Sequence, residues 1–499
     1  MAKIFNSIKR PVQKKSAFDL SHDHKTTTNL GKITPILMQE VVPGDKFQIN
    51  TEALLRCAPM VSPLMHRVNM KIEYFYVPYR LVWKNWQKFR TEEIEATIPK
   101  VSVDAEMAQS GTLPNFLGFP PIVGGSVEVS ELPFRAYHKI WNDYYRDQNL
   151  QEEIDVEALT SQQIQDCHYR AWEKDYFTSC LPEAQKGDPV QVDVGGVGVL
   201  DMKKIATVYN EDGSLADNVA GLGTNTLGEL SVQNQHADKL SMDNYEAQVP
   251  LQGEIDLNDI REANAMQRYR ELLMRGGSRY KEFLRNFFGV NSSDGRLDRP
   301  EFLGGSKTPI MISEVLQTSE NGETPQGNQS GHGLALGETG NKYKFFEEDG
   351  VLLGLLTILP VTNYMQGLDR IWSKTLPTDF YNPKFAHLGE QEVKENEIVC
   401  LPGSANETFG YQSRYAEYKY CSGKITGDFQ TSGMQSFHMA RKFGNVPNLN
   451  ETFITTQAES GELMQRVFAA GDLTDPFWIQ MYHRIKAVRP MPYYGTPKL

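Results

Sequence analysis

The chain of 499 residues is 40% hydrophobic and 23% charged with a formal net charge of −12, which fits a folded soluble protein. Its five cysteines lie at wide spacings without a C-x-x-C pair, which argues against a zinc ribbon and a disulfide framework. The charged N-terminus lacks an apolar core, and the longest apolar run, residues 351–361, is short and contains glycine and proline, so neither a signal peptide nor a membrane span is expected.

Strand patterns dominate both ends of the chain. Apolar and polar residues alternate from residue 68 to 76, a period of two that predicts a half-buried strand. Residues 351–359 are almost entirely apolar and predict a strand buried on both faces. Further strands are predicted at residues 46–50 and 408–420. In a C-terminal strand, one face is predicted to carry Phe477, Ile479, Met481, Ile485 and Ala487.

Three helices are predicted between these strands. Aromatic side chains recur at helical spacing in residues 131–149, a pattern typical of core packing. Residues 259–275 follow Asn258, which can cap the helix, and end at a pair of glycines. A helix over residues 278–288 would place Tyr280, Phe283, Leu284, Phe287 and Phe288 on one apolar stripe. Ser278 can cap this helix, and Gly289 is a suitable C′ residue.

Two long segments do not have the composition of a core. Residues 195–254 are rich in Gly, Asn, Asp and Ser, and residues 320–341 contain almost no large apolar side chain, so both are predicted to be loops. Strands and helices do not alternate regularly, which argues against a parallel α/β fold. The elements fit an antiparallel barrel or jelly roll with large inter-strand insertions.

Motifs for catalysis are weak throughout the sequence. No P-loop, HExxH or GxSxG motif occurs. His22 and His24, with Asp19 nearby, are metal-ligand types, but no third ligand follows, and an exposed polar turn is the simpler interpretation. Cys167 and His168 are adjacent, so their side chains diverge on a strand or a helix, which disfavours a catalytic pair. The sequence therefore predicts no enzyme, no cofactor and no metal site.

Positive charge is concentrated at the two ends. Residues 1–15 carry +5 and residues 476–499 carry +4 with no acidic residue in either, which leaves −21 for residues 16–475. An acidic body with basic ends suits a protein that meets a polyanion on one side and water on the other, although a mobile charged terminus explains the N-terminal run equally well. The predicted nucleic-acid-binding residues, within a basic N-terminal arm of residues 1–30, are Lys3, Lys9, Arg10, Lys14 and Lys15.

A second basic segment interleaves cations with aromatic residues at positions 80–90. Aromatic faces stack on bases and cations neutralise phosphates, so this segment is a candidate for contact with single-stranded nucleic acid. The alternative, which is favoured, is an amphipathic segment in which Trp83, Trp86 and Phe89 are buried while the cations face water.

Eight long segments, collinear and spread over nearly the whole chain, carry a family resemblance. They are SAFDLSHDHKTTTNLGKITPILMQEVVPGDKFQI (16–49), EYFYVPYRLVWKNWQKF (73–89), FRAYHKIWNDYYRDQNLQ (134–151), DYFTSCLPEAQKG (175–187), RYKEFLRNFFGVNSSDGRLDRPEFLGG (279–305), RIWSKTLPTDFYNPKFAHLGEQ (370–391), FGYQSRYAEYKY (409–420) and RPMPYYGTPKL (489–499). The chain resembles the major capsid proteins of microviruses, small icosahedral phages with single-stranded DNA, and specifically those of the gokushovirus group.

This resemblance implies a mainly β fold, an eight-stranded antiparallel jelly roll with long inter-strand insertions and a few helices, in one protomer domain of residues 1–499. It implies a T=1 icosahedral shell of about sixty copies around a circular single-stranded DNA genome. The poorly matching residues 195–254 fall where the group carries a variable surface insertion, and residues 92–125 and 320–341 also match weakly.

The resemblance also implies partners and a location. The partners are further copies of the chain, the single-stranded DNA genome, viral scaffolding and pilot proteins and a host surface receptor, without membrane insertion. The location is the virion, after assembly in the host cytoplasm. A β-rich glycan-binding or glycan-cleaving protein is an alternative, because Trp and Tyr platforms also suit sugars, but no carboxylate pair stands out. A capsid-like scaffold without a genome is a third hypothesis.

Overall fold

The computed structural model describes residues 14–187, 257–277, 279–318, 329–400, 407–469 and 475–494, and four short strands between residues 208 and 240. The chain divides into two compact units, one of residues 1–186 and 271–499 and the other of residues 187–270. The predicted single domain and its insertion at residues 195–254 stay predictions, since the insertion lies outside the described residues apart from those short strands.

The secondary structure is dominated by strands. These are β1 (Ser16–Asp19), β2 (His22–Thr28), β3 (Thr34–Val41), β4 (Lys46–Cys57), β5 (Val68–Pro78), β6 (Lys100–Asp104), β7 (Ser126–Ser130), β8 (Val208–Tyr209), β9 (Leu222–Thr224), β10 (Leu230–Val232), β11 (Lys239–Leu240), β12 (Glu301–Pro309), β13 (Met311–Leu316), β14 (Gln329–Glu338), β15 (Lys342–Phe345), β16 (Gly350–Pro360), β17 (Asn363–Tyr364), β18 (Glu390–Lys394), β19 (Thr408–Ser413), β20 (Gly423–Lys424) and β21 (Phe477–Arg489).

Helices occupy the long connections between strands. The α-helices are α1 (Trp86–Arg90), α2 (Leu113–Phe116), α3 (Leu132–Ile140), α4 (Ser161–Gln165), α5 (Leu257–Gly276), α6 (Tyr280–Phe288), α7 (Glu451–Ile454) and α8 (Gln457–Val467), and a π-helix covers Trp141–Tyr145. Short 3₁₀ turns cover Tyr79–Leu81, Asp294–Leu297, Arg370–Trp372, Pro377–Asp379, Pro383–Phe385, Glu395–Glu397, Ala416–Tyr418, Gly427–Gln430 and Ser432–Phe437.

Two antiparallel sheets share one core. The seven-stranded sheet has the order β1-β21-β4-β14-β13, with β2 also beside β21 and β15 also beside β4. The four-stranded sheet has the order β12-β5-β16-β3. Side chains from both sheets, among them Phe47 and Ile485 of the first and Met70 and Leu356 of the second, belong to one buried cluster. The prediction of a mainly β, antiparallel fold is confirmed.

The burial of β16 and β21 follows their sequence patterns. All eleven residues of β16 are buried, because the shared core covers one face and a second cluster, to which α3 contributes Phe134 and Tyr137, covers the other. In β21 buried and exposed residues alternate over almost its whole length, with the predicted apolar face inward. Strand β5 is buried on both faces towards its C-terminal end, where Phe75 and Val77 join the second cluster, so the half-buried prediction is wrong there.

Strand β14 corrects the prediction of a loop at residues 320–341, of which residues 320–328 are not described. Its inward positions are small: Gly331, Gly333, Ala335 and Gly337. A Cβ atom on Gly333 would lie 2.5 Å from the Cys57 sulfur, so the strand packs too close to its neighbours for larger side chains. The sequence lacked large apolar residues here because the packing excludes them.

Several helices and strands begin or end at residues other than those predicted from the sequence. The helix predicted over residues 131–149 is α-helical only to Ile140 and continues as the π-helix. Helix α6 starts after Arg279 and ends at Gly289, whose φ of +67° matches the predicted C′ role; Ser278 lies outside the described residues. The strand predicted over residues 408–420 ends at Ser413, because Tyr415 takes a left-handed φ of +60°.

Candidate assembly and nucleic-acid surfaces

The outer face of the seven-stranded sheet is exposed. On β21, Trp478, Gln480 and Tyr482 point away from the core because strand side chains alternate between faces. The register places Trp478 between Thr27 of β2 and Arg56 of β4. This face, called the outer sheet face below, therefore carries aromatic, polar and cationic side chains side by side.

Two of the five predicted nucleic-acid-binding residues are described, and both are exposed next to the outer sheet face. Lys15 donates from Nζ to the Gly44 carbonyl oxygen at 3.1 Å and lies 5.7 Å from the centroid of the Phe345 ring. Lys46 lies 5.9 Å from the same ring centroid. Lys14, the residue before Lys15, is exposed as well. Lys3, Lys9 and Arg10 lie outside the described residues.

Residues 16–28 of the predicted arm are built into the sheet. Strands β1 and β2 pair with β21 in succession, so the N-terminal and C-terminal segments of the chain lie side by side. Of the C-terminal cations, Arg484 pairs with Glu52 at 2.6 Å and Arg489 with Asp45 at 3.2 Å. These two cations are partly neutralised by acids of the chain itself.

The basic and aromatic segment at residues 80–90 serves packing. Trp83 is buried, and its ring centroid lies 5.4 Å from that of Phe89 and 6.4 Å from that of Trp86. Three of the cations are in ion pairs: Arg80 with Glu348 and Asp298, Lys84 with Glu157, and Arg90 with Asp349. The aromatic faces are used inside the protein, which supports the amphipathic interpretation rather than a contact with nucleic acid.

A cluster of exposed apolar side chains surrounds a cleft of about 540 Å³ between the turns near residue 370 and residue 418. This aromatic surface consists of Leu368, Ile371, Trp372, Phe380, Tyr418 and Tyr420. Ile371 and Trp372 are 70% and 74% exposed. Contiguous exposed apolar side chains of this kind mark interaction sites. No pattern in the sequence pointed to this surface, although all of its residues except Leu368 fall in two of the family-like segments.

A buried cation supports the aromatic surface from below. The Lys374 side chain is only 5% exposed, pairs with Glu417 at 2.9 Å and lies 4.0 Å from the centroid of the Tyr418 ring. Burial lowers the pKa of the Lys374 amine, but the hydrogen bonds to Tyr418 and Glu417 more than offset this, so its pKa is raised. The charged lysine therefore holds the Tyr418 ring in place.

The histidines that were considered as metal ligands lie in strand β2 rather than in a turn. The ring centroids of His22 and His24 are 5.1 Å and 5.9 Å from that of His483 on β21, a third histidine too distant in sequence to be recognised. The His24 Nδ1 atom lies 2.8 Å from the Ile36 carbonyl oxygen. Within the described residues, no set of three or more His, Cys, Asp or Glu side chains is arranged to hold a metal ion.

Cys167 and His168 are packed into the second cluster. Burial raises the pKa of the Cys167 thiol to about 12, so the thiol stays protonated. The His168 Nε2 atom is 2.8 Å from Nδ1 of His138, and its ring stacks on Trp141 with a centroid distance of 4.3 Å. Their geometry is that of packing, not of an activated nucleophile.

Among the described helices, none combines the length and apolar composition needed to cross a bilayer.

The family is shown by comparison with known proteins. The profile of the family described as "Capsid protein (F protein)" matches residues 7–499. The chain is thus a structural protein of a virus particle, not an enzyme. It belongs to this capsid protein family.

Three relatives show to which members of this family the chain is similar. Proteins named "Capsid protein VP1" align over nearly the whole chain. The protein of Chlamydia phage 1 is 32% identical over 99% of this chain and 97% of its own length. Those of Bdellovibrio phage phiMH2K and Spiroplasma virus 4 are 34% and 33% identical, over 97% and 95% of this chain and 95% and 94% of their own lengths. The predicted resemblance to gokushovirus major capsid proteins is confirmed, and so is a location in the virion.

Proposed function

We propose that the chain assembles into a T=1 icosahedral shell of about sixty copies that encloses a circular single-stranded DNA genome. The observation that carries this proposal is the full-length relationship to the capsid proteins VP1 of three phages. Viral scaffolding and pilot proteins and assembly in the host cytoplasm belong to the same proposal.

Each protomer is proposed to be an eight-stranded jelly roll. The supporting observation is the strand order, β2-β21-β4-β14 in one sheet and β3-β16-β5-β12 in the other. Along the chain, these eight strands change sheet at every connection except that from β5 to β12. Such crossing between two packed sheets is the pattern of a jelly roll. Strands β1, β13 and β15 would then extend the first sheet.

The aromatic surface is proposed to contact a second copy of the chain in the shell. Closed shells need extensive contacts between protomers, and obligate interfaces have apolar centres with aromatic anchors. Trp372 and its neighbours supply such anchors, since they form a contiguous group of exposed apolar side chains. A second copy is the occupant that capsid assembly requires of every protomer.

Electron microscopy and nuclease protection test the whole proposal. The chain expressed with its phage genome is expected to form uniform spherical particles whose DNA resists nuclease. Particles without protected DNA would support an empty scaffold instead. A monomeric protein that binds or cleaves glycans would overturn the proposal.

The basic N-terminal arm is proposed to lie inside the shell and neutralise genome phosphates. Changing Lys3, Lys9, Arg10, Lys14 and Lys15 to Gln removes +5 in charge. We expect less DNA per particle and a weaker dependence of DNA binding on salt, with the logarithmic salt slope smaller by up to about 3.5, since each contact to a single strand contributes about 0.7. The measurements are the DNA-to-protein ratio of purified particles and oligonucleotide binding as a function of salt.

The matched control for the arm exchanges Lys for Arg and Arg for Lys at the same five positions. It keeps the charge and is expected to package a normal amount of DNA. If the Gln variant and this control have equal DNA content and equal salt dependence, the arm does not contact the genome.

Residues 195–254 are proposed to project from the shell and contact a host surface receptor. Their Gly-rich, polar composition suits exposure to solvent better than contact with DNA. Deletion of this segment is expected to leave particle assembly intact and to lower adsorption to host cells. Adsorption of the deletion particles at the level of intact particles would contradict the receptor role.

A further inference from the structure

We propose that a groove at one end of the outer sheet face binds the backbone and one or two bases of single-stranded DNA. This inference rests on the proposed function, because it requires a genome inside the shell. The groove has a volume of about 540 Å³, and its walls come from β2, β4 and β21. Its lining includes Lys25, Thr27, Leu54, Arg56, Trp478 and Gln480.

The groove combines cations with an aromatic face. Trp478 is 44% exposed, and the edge of its indole is held because Nε1 donates to the Asp475 carbonyl oxygen at 3.1 Å. Lys25 and Arg56 are exposed, and neither forms an ion pair with an acidic side chain of the described part of the chain. A fixed aromatic face between unneutralised cations is the arrangement that grips single strands, through stacking and phosphate contacts.

The polar lining suits a nucleotide as well. Gln480 can exchange hydrogen bonds with the edge of a base, whichever base is present. The Asp475 carboxylate, outside the groove lining, accepts a hydrogen bond from the Thr27 hydroxyl at 2.9 Å. Further along the face, Glu52 is paired with Arg484. The groove lining contains the two cations Lys25 and Arg56 and no acidic residue, so it complements a phosphate.

The same combination recurs at the other end of the face. There the amines of Lys15 and Lys46 lie 5.7 Å and 5.9 Å from the centroid of the Phe345 ring. The two ends are separated by the length of β21 from Trp478 to Val488, about 33 Å at roughly 3.3 Å per residue. Lys15 belongs to the basic arm, so at least this residue of the arm lies on the same face as the groove. A single strand that contacts the arm can thus reach the groove along the sheet. A neutral protein partner would not require unpaired cations at either end.

The test uses a fluorescent oligothymidine and the purified full-length chain. Lys25→Gln with Arg56→Gln is expected to lower the logarithmic salt slope of binding by about 1.4, at about 0.7 for each lost contact. Trp478→Ala is expected to weaken binding at one salt concentration by about 5- to 150-fold without changing the slope, because it removes stacking alone. Trp478→Phe is expected to retain most of the affinity.

The matched control is Arg67→Gln with Lys88→Gln, two exposed cations outside the seven-stranded sheet. It is expected to bind like the unaltered chain. Equal losses in control and groove variants, or none in either, would overturn the groove as a site. If Trp478→Ala does not fold, the charge variant alone decides. A crosslink from the groove to a second protomer in particles, with unchanged oligothymidine binding, would overturn it in favour of a protein contact.

Two results distinguish a groove that does not bind DNA from a shell that does not enclose DNA. If particles contain nuclease-protected DNA while the groove variants bind oligothymidine like the control, the groove is not a DNA-binding site. The proposal that the shell encloses a genome is then unaffected. If particles contain no protected DNA, the proposed function itself fails.

Discussion

Replacing Arg441 with Met is expected to destabilise the folded chain by about 3–5 kcal/mol, the typical cost of leaving one partner of a buried ion pair without its counter-charge. Arg441 is fully buried, and its Nε donates to both carboxylate oxygens of Glu459, at 2.9 and 3.0 Å. Its Nη2 donates to the Phe453 carbonyl oxygen at 2.6 Å. The loss would be measured by chemical denaturation of the unassembled chain.

The position of Arg441 explains why the effect should be large. Its guanidinium lies 4.2 Å from the Phe453 ring centroid and 5.1 Å from that of Trp172. Phe453 belongs to a small third cluster and Trp172 to the core shared by the two sheets. Arg441 therefore lies between two hydrophobic clusters. Its removal leaves the Glu459 carboxylate without a counter-charge in a largely apolar environment.

The pH dependence gives a second measure of the same change. Burial raises the pKa of the Glu459 carboxyl, although Arg441 acts to lower it. Without Arg441, this pKa rises further above that of the unfolded chain, so the folded state binds more protons and its stability falls as pH increases. The destabilisation should therefore be larger at pH 7 than near pH 5.

Two controls separate the ion pair from lost packing. Arg441→Met combined with Glu459→Met removes both charges and is expected to be much more stable than Arg441→Met alone. Arg484→Met removes an exposed pair with Glu52 and is expected to cost at most about 1 kcal/mol. If Arg441→Met costs no more than Arg484→Met, the buried pair does not stabilise the fold.

The second large effect concerns assembly. Trp372→Asp is expected to leave the protomer folded and to abolish particle formation. Because Trp372 is 74% exposed, its loss should change the free energy of unfolding by no more than about 0.5 kcal/mol. At an interface, truncation of a central Trp costs about 2 kcal/mol or more, and every protomer of the shell would bear that cost. Sedimentation and electron microscopy of the expressed chain measure particle yield.

A matched control shows whether the loss of particles is specific to the aromatic surface. Val123→Asp changes a side chain that is 98% exposed outside the aromatic surface, and particles are expected to form as usual. Circular dichroism shows whether each variant is folded. If Trp372→Asp unfolds the chain, Ile371→Ser on the same surface replaces it. Normal particle yield from a folded Trp372→Asp chain would exclude this surface as a contact between copies.

The family and the elements with strong periodic patterns could be predicted from the amino-acid sequence alone. The alternation in β21 and the apolar run of β16 each reflect a local property, the face on which a side chain lies, and the structure matches both. Full-length similarity to capsid proteins likewise needs no structure. The Gly289 helix end was predictable because a left-handed conformation favours glycine at one defined position.

The remaining features could not be predicted from the sequence, because they depend on contacts between residues far apart in the chain. The small inward residues of β14 have the composition of a loop and become a central strand only where Cys57 and its neighbours leave no space. Trp83 is buried, as its amphipathic segment predicts, whereas Trp372 is exposed and no local pattern in the sequence predicts that exposure. The groove joins Lys25, Arg56 and Trp478, which share a face only through the register of three paired strands.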